Sequence, residues 1–265
     1  MHQLLGRSRA VTRVATRLRN QFGAIVASHV ATTSCHGAVN GEHLFARTIA
    51  PGSTYFIDVG ANMCEWTDAF LAANRRKARG LLFEPNHGTF VQLQRKFAGH
   101  PEITLVEAAV TDYEGEAEFF EEPDCGRTSS LTGVNARPDA VQRKVKLTTL
   151  DVEVEARGWP KVDMVKIDAE GHDFYVLRGA RHLLARGRIH VAQFEYAMEW
   201  AATGATLAGA FNFLAAYGYK TYTVRPDGLY HFDPRRYGET FAHSNFVAVA
   251  PGQENRVAPL IKGNW

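Results

Sequence analysis

From Tyr55 onward, short apolar runs alternate with stretches in which apolar residues recur every three or four positions. Residues 55–59, 80–84 and 103–107 read as strands, and 65–73 and 88–97 as helices. That alternation predicts βαβ units, whose parallel strands form a sheet with helices on both faces. The rhythm breaks between Ala117 and Asp151. There, 117–121 and 144–149 read as extended segments flanking a loop rich in Gly, Ser, Thr and Pro over 123–138, as if the chain made an excursion over the sheet. It resumes with a strand at 164–167, a helix at 174–184 and a strand at 190–195. A helix at 207–217 and strands at 220–224 and 245–250 follow. Neither an internal repeat nor a low-complexity stretch interrupts this order.

Upstream, residues 8–22 place Val11, Val14, Ala15, Leu18 and Phe22 on one helical face with arginines around the other, which predicts an amphipathic basic helix. Such a helix suits a packing arm or a homo-oligomer contact, and also a targeting segment or a membrane-surface contact. The expected organisation is an N-terminal helical arm over 1–50, a Rossmann-like α/β domain over 51–252 and a C-terminal tail over 253–265.

Composition refines this picture in three places. A chain of 265 residues that is 45% hydrophobic, with 16 phenylalanines, can bury one substantial core. Its 30 basic and 28 acidic side chains are too balanced to advertise a nucleic-acid partner. The imbalance is local: Arg7, Arg9, Arg13, Arg17 and Arg19 precede the first acid, Glu42. Three cysteines, Cys35, Cys64 and Cys125, form no Cys-x-x-Cys pair and fit a reducing compartment. No run approaches a transmembrane length and no secretory signal is evident, so a cytoplasmic location is expected.

Candidate chemistry gathers at the strand ends. Phe56-Ile57-Asp58-Val59-Gly60-Ala61-Asn62 is an apolar strand closing on an acid and a glycine before a helix. Ligands in such sheets bind at the carboxyl ends of strands, where glycine permits close backbone approach. A dinucleotide fingerprint would need glycines at Gly60, Asn62 and Glu65, and only the first is present, which counts against NAD. Glu84 ends the second strand, 24 residues after Gly60, where a carboxylate can accept hydrogen bonds from both ribose hydroxyls of an adenosine-containing ligand. A strand ending in Glu84-Pro85 is equally consistent with a capped turn.

Four ionisable groups follow the strand at 164–167: Asp168, Glu170, His172 and Asp173. Asp173 fits the acidic start of a helix. The next strand also ends in a carboxylate, Glu195, so Glu84, Asp168 and Glu195 are expected along one rim. Asp168, Glu170, His172 and Glu195 offer metal donors, but no spacing among them is diagnostic and no metal is predicted.

With these residues assembled, the chain resembles the FkbM-type methyltransferase family. The resemblance spans about residues 55–250. It rests on Asp58-Val59-Gly60-Ala61-Asn62, on Phe83-Glu84-Pro85 with Phe90 and Leu93, on Leu147-Thr148-Thr149-Leu150-Asp151, on Lys166-Ile167-Asp168-Ala169-Glu170-Gly171-His172 with Val176-Leu177-Arg178-Gly179, and on Phe194-Glu195. It implies a Rossmann-like, mostly parallel S-adenosylmethionine methyltransferase sheet and, as the expected activity, O-methylation of a small-molecule, sugar or secondary-metabolite acceptor. By the resemblance Asp58, Gly60, Ala61 and Asn62 would face the methionine part of S-adenosylmethionine, Glu84 and Pro85 the ribose side, the turn at 107–109 with Ala109 the adenine, and Asp168 the mouth nearest the acceptor. The family usually carries glycine where this chain has Cys64, whose side chain either presses on the cofactor or packs away into the helix.

For a hydroxyl acceptor a proton must leave as the bond forms. His172, with an ordinary pKa near 6.5, is the expected general base, with Asp168 or Glu195 orienting it or holding a substrate hydroxyl. In the inserted loop Arg127, Thr128, Ser129, Ser130 and Leu131 would overhang the cleft, and Ser130 and Glu170 are the expected substrate contacts. Two other classes remain open at this point: an NAD-dependent oxidoreductase, and a non-catalytic module that binds a cofactor or a partner.

Overall fold

The structure, a computed structural model, describes residues 8–32, 34–75, 77–123 and 128–265. Arg7, Cys125 and Arg127 lie outside the described residues. Twelve strands form two sheets among them. In the main sheet, β1 (Tyr55–Val59), β2 (Arg79–Phe83), β3 (Ile103–Val106), β7 (Met164–Ile167) and β8 (Val191–Tyr196) all run parallel. The order is β3-β2-β1-β7-β8, and the sheet continues through β11 (Ser244–Val249), β9 (Lys220–Arg225), β10 (Gly228–His231) and β12 (Ile261–Asn264). Of these, β11 is antiparallel to both β8 and β9. The excursion is a small second sheet of β4 (Ala109–Val110), β6 (Val141–Thr148) and β5 (Gly115–Glu121).

Side-chain alternation divides the core between the two faces of the main sheet. Ile57, Val59, Leu81, Phe83, Val165 and Ile167 pack on one side, and Phe56, Leu82 and Met164 on the other. The first face is covered by Val176, Leu177, Leu183, Leu184 and Leu214, the second by Phe45, Ile49, Trp66, Phe70 and Leu93. The central strands are buried on both sides, which is why they read as continuous apolar runs.

Four departures from the sequence pattern have physical causes. The arm helix α1 (Arg9–Val30) continues eight residues beyond Phe22. Gly23 costs it about 1 kcal/mol relative to alanine, and burial of Val30 and capping of its last carbonyls by Arg225 outweigh that cost. Two further arm helices, α2 (Gly37–Asn40) and α3 (Glu42–Ile49), are too short or too polar to show a clear period. The region expected as one helix over 174–184 is two, α7 (Asp173–Arg178) and α8 (Arg181–Ala185), with α4 (Glu65–Asn74), α5 (His87–Lys96) and α6 (Leu150–Ala156) preceding them. They part at Gly179, where a Cβ would lie 2.0 Å from the carbonyl oxygen of Thr111. Finally, nothing in the pattern of residues 253–265 predicts a strand, yet β12 joins the sheet edge beside β10. Among the described residues, no helix is long and apolar enough to cross a membrane.

Candidate active site

The strand order turns back on itself between β1 and β7, and a crevice at the carboxyl ends of strands is expected at such a switch. A cavity of about 730 Å³ lies there, within the range that takes a ligand of nucleoside size.

One wall comes from the loops after β1 and β2. Gly60 has φ +73°, and a Cβ on it would lie 1.9 Å from the carbonyl oxygen of Asp168, so the loops leaving β1 and β7 touch backbone to backbone. The N–H groups of Gly60 and Ala61 both donate to the carbonyl of Phe83. Asn62, also in the left-handed region, donates its N–H to Glu84 at 2.8 Å, and Asn86 donates to the other oxygen of the same carboxylate at 2.8 Å. Glu84 is buried yet faces the cavity, and burial pushes its carboxyl up to about 7 against the pull of those two N–H groups. Phe83, Pro85, Ala108, Ala109 and Val110 continue this wall as an apolar strip.

Asp58 does not line the cavity. It is fully buried behind the Gly60 loop, accepting a hydrogen bond from Thr67 Oγ1 at 2.5 Å, and Lys166 Nζ lies 3.9 Å from its other oxygen. Burial raises its carboxyl to about 6. Cys64 answers the question posed by the missing glycine: it keeps the left-handed backbone, φ +64°, that glycine adopts freely, and turns its thiol into the second core cluster, away from the cavity. Burial pushes that thiol well above its ordinary range.

The opposite wall is acidic. Lys166 bonds Asp168 at 2.9 Å; burial opposes its charge, but Asp168 and Asp58 outweigh it and hold the ammonium protonated. Glu170, at φ +48°, lines the cavity, and burial followed by the charges of Asp168 and Glu195 drives its carboxyl upward. Asp173 opens α7 as expected and also accepts from the Glu195 backbone N–H at 3.2 Å, tying the helix to β8. Burial, then the charge of Glu195, raises it to about 8.

His172 lines the cavity, but neither Asp168 nor Glu195 bonds its ring, which leaves those two carboxylates the other expected role, holding a substrate hydroxyl. It occupies the N-cap of α7 without a capping hydrogen bond, its ring centroid lies 5.5 Å from that of Tyr175, and its buried Nδ1 has no hydrogen-bond partner. Burial lowers its pKa. Glu195 pairs instead with His243, Nε2 to Oε2 at 3.1 Å, and both face the cavity. Burial raises Glu195; the hydrogen bond to Glu195 raises His243 to about 9.

Ser130 is the other correction. It forms a bridge with Phe120 and its Oγ accepts from the Gly133 N–H at 3.1 Å, turned away from the cavity, whereas Thr128, Ser129, Leu131 and Asn135 reach it. The bridge to Phe120 fixes which of the two adjacent serines turns out, so the contact shifts by one residue, to Ser129.

Among the lining residues that sequence reasoning missed are Glu42, His43 and His243. Glu42 and His43 arrive from the arm, and Glu42 is clamped by Asn40 at 2.5 Å, Gln193 at 2.8 Å and Asn245 at 3.1 Å. Only Glu42 carried a signal, as the first acid in the chain. His243 carried none: it immediately precedes β11, and only the pairing of Ser244 with Tyr196 at the end of β8 brings it to the edge where the parallel strands deliver their ligands.

No curated protein matches the chain. Among solved structures, the chain is similar to a precorrin-6y C5,15-methyltransferase from Geobacter metallireducens, with 12% identity, 78% of this chain and 87% of that chain covered, and a TM-score of 0.41. It is also similar to an rRNA methylase from Streptococcus thermophilus, with 9% identity, 79% and 93% covered, and a TM-score of 0.40. An O-methyltransferase family protein from Burkholderia thailandensis shares 10% identity over 92% of this chain and 60% of that one, with a TM-score of 0.38. Likenesses this distant weigh nothing on acceptor or mechanism. The model of the methyltransferase FkbM domain, in contrast, matches residues 58–221, from the acid of β1 through the Asp168 and Glu195 strand ends to the start of β9. The protein therefore belongs to the FkbM methyltransferase family and is a methyltransferase enzyme.

Proposed function

We propose that this protein transfers the methyl group of S-adenosylmethionine to a hydroxyl oxygen of a small, carbohydrate-like acceptor. The charge balance of the cavity carries the reading. Glu42, Glu65, Glu84, Asp168, Glu170, Glu195 and Glu199 line it, against the ammonium of Lys166, which Asp168 already holds, and the imidazolium of His243, which Glu195 already holds. Such a lining favours a cationic sulfonium and an amino group, and disfavours the dianionic pyrophosphate of NAD. Gly60, Ala61 and Asn62 would hold the methionine part, with Asp58 supporting their loop from behind. Glu84 would accept the ribose hydroxyls on oxygen lone pairs left by its two backbone donors. Pro85 and Ala109 would flank the adenine.

Held by Gly60, Ala61, Asn62 and Glu84, S-adenosylmethionine would supply an electrophilic methyl carbon to the acceptor oxygen. The chain's own part is to align that oxygen and take its proton. His243 receives the proton on its imidazole, and Glu195 stabilises the imidazolium. Asp168, fixed by Lys166, accepts a hydrogen bond from the acceptor, with Glu170 beside it as a further contact. Thr128, Ser129 and Leu131 exclude water from above. In this reading residues 1–50 are the arm, and the catalytic unit runs from 51 beyond 252 to include β12.

Calorimetric titration with S-adenosylmethionine and with NAD, on wild type and Glu84→Gln, tests the cofactor. The expected result is binding of S-adenosylmethionine alone, weakened about 10- to 100-fold by Glu84→Gln. NAD binding alone overturns the reading, and binding of neither points to a non-catalytic module. Mass spectrometry of products from polyhydroxylated and amine acceptors tests the oxygen, and methylation confined to nitrogen refutes that part.

A further inference from the structure

We infer that α1 docks this protein on an anionic lipid surface. The helix carries a continuous apolar stripe that no other part of the described residues covers. Phe22 and Ile25 are 64% and 65% exposed, and Val11, Val14 and Leu18 are also exposed. At about 100° per residue these five fall within an arc of roughly 80°. Arg17 and Arg19 lie about 100° to either side of the stripe's centre, and Arg9 and Arg13 stand opposite it. A helix lying in a membrane interface has this disposition: apolar residues sunk below the headgroups, flanking arginines at headgroup level, the remainder in water.

Charge selects the occupant. No acid occurs before Glu42, so the helix presents arginines with no local counter-charge. Two copies packed stripe to stripe would bring their Arg17 and Arg19 side chains together without a carboxylate on either helix to pair with. An anionic lipid surface satisfies both faces at once, burying the stripe and neutralising the arginines.

The helix is a fixed element. Arg225 donates to the carbonyls of His29, Val30 and Ala31 and its guanidinium stacks on Trp265 at 3.9 Å, while Ser244 Oγ donates to the Val30 carbonyl at 3.0 Å. The following Thr32 N–H donates to the carbonyl of His243 at 2.7 Å. A lipid-bound α1 is thus tied to the segment that carries a cavity-lining histidine.

Flotation of the full chain with phosphatidylcholine vesicles, with and without phosphatidylserine, tests this inference. Binding is expected only with phosphatidylserine and is lost in high salt. It should weaken about fivefold for each of Arg17→Gln and Arg19→Gln and disappear in Phe22→Ser/Ile25→Ser. Because these side chains are exposed, thermal unfolding of the variants should match wild type, separating docking from folding. Equal binding to both vesicles, or to neither, overturns the inference. So does a dimer in sedimentation that Phe22→Ser/Ile25→Ser abolishes without any phosphatidylserine binding, which would assign the stripe to a second copy.

Discussion

The Nε2 of His243, at the entrance to β11, lies 3.1 Å from Oε2 of Glu195, at the end of β8, although 48 residues separate them. The antiparallel pairing of β8 and β11 brings them within reach, because Asn245 sits opposite Glu195 in the register and His243, two residues before Asn245, is the diagonal neighbour. The contact favours the protonated imidazole beside the Glu195 carboxylate.

The hydrogen bond to Glu195 keeps His243 protonated up to about pH 9. A base must be deprotonated to act, so the methyl-transfer rate should rise with pH and level off above about 9. Glu195→Gln removes the charge that holds the proton and should move that limb down toward the ordinary histidine value near 6.5, while His243→Gln should abolish the limb and lower the rate about 10²- to 10⁴-fold. His172→Gln should leave the limb in place. A pH–rate profile of the four proteins decides; a limb that moves with His172 instead restores that residue as base.

Gly60→Ala should destabilise the fold by about 3 kcal/mol or more, because the new Cβ meets the backbone of Asp168 and the residue must hold a positive φ. Urea denaturation measures it. The same substitution therefore cannot serve as a clean probe of cofactor binding, whereas Glu84→Gln can.

Asp163 is fully buried and meets two cations, Lys161 at 2.8 Å and Arg256 at 2.9 Å, and the Nδ1 of His190 at 3.2 Å, with the N–H groups of Thr54 and Tyr55 completing its shell. Burial alone would raise its pKa, but the hydrogen bonds from His190, Lys161 and the backbone outweigh it and hold the carboxyl far below the ordinary range. A depressed acid contributes stability that is complete above its unfolded value, near pH 4, and is lost as pH falls through the folded one. Asp163→Asn should cost about 3 kcal/mol at neutral pH and flatten the acid limb of stability, as read by denaturation between neutral and strongly acidic pH.

Cys64 should resist thiol reagents in the native protein, while exposed Cys35 reacts. Mass-spectrometric mapping of labelled cysteines checks this, and labelling of both at equal rates would mean that the Cys64 loop opens freely.

The sequence by itself determined the central sheet. Strands such as Tyr55–Val59 and Met164–Ile167 are buried on both faces, so their apolar runs are unbroken and their ends are marked by acids and glycine. It also determined that Glu84, Asp168 and Glu195 share a rim, because parallel strands deliver their carboxyl ends to one edge. Local spacing carries no information about residues brought together by pairing of distant segments, and those the tertiary structure decided. The β8–β11 register exchanged His172 for His243 as the partner of Glu195. Docking of the arm placed Glu42 and His43 in the cavity wall, and the bridge between Ser130 and Phe120 turned one serine out and left its neighbour facing in. Parallel pairing with β10 made a strand of Ile261–Asn264, a segment whose own residues encode no preference for one.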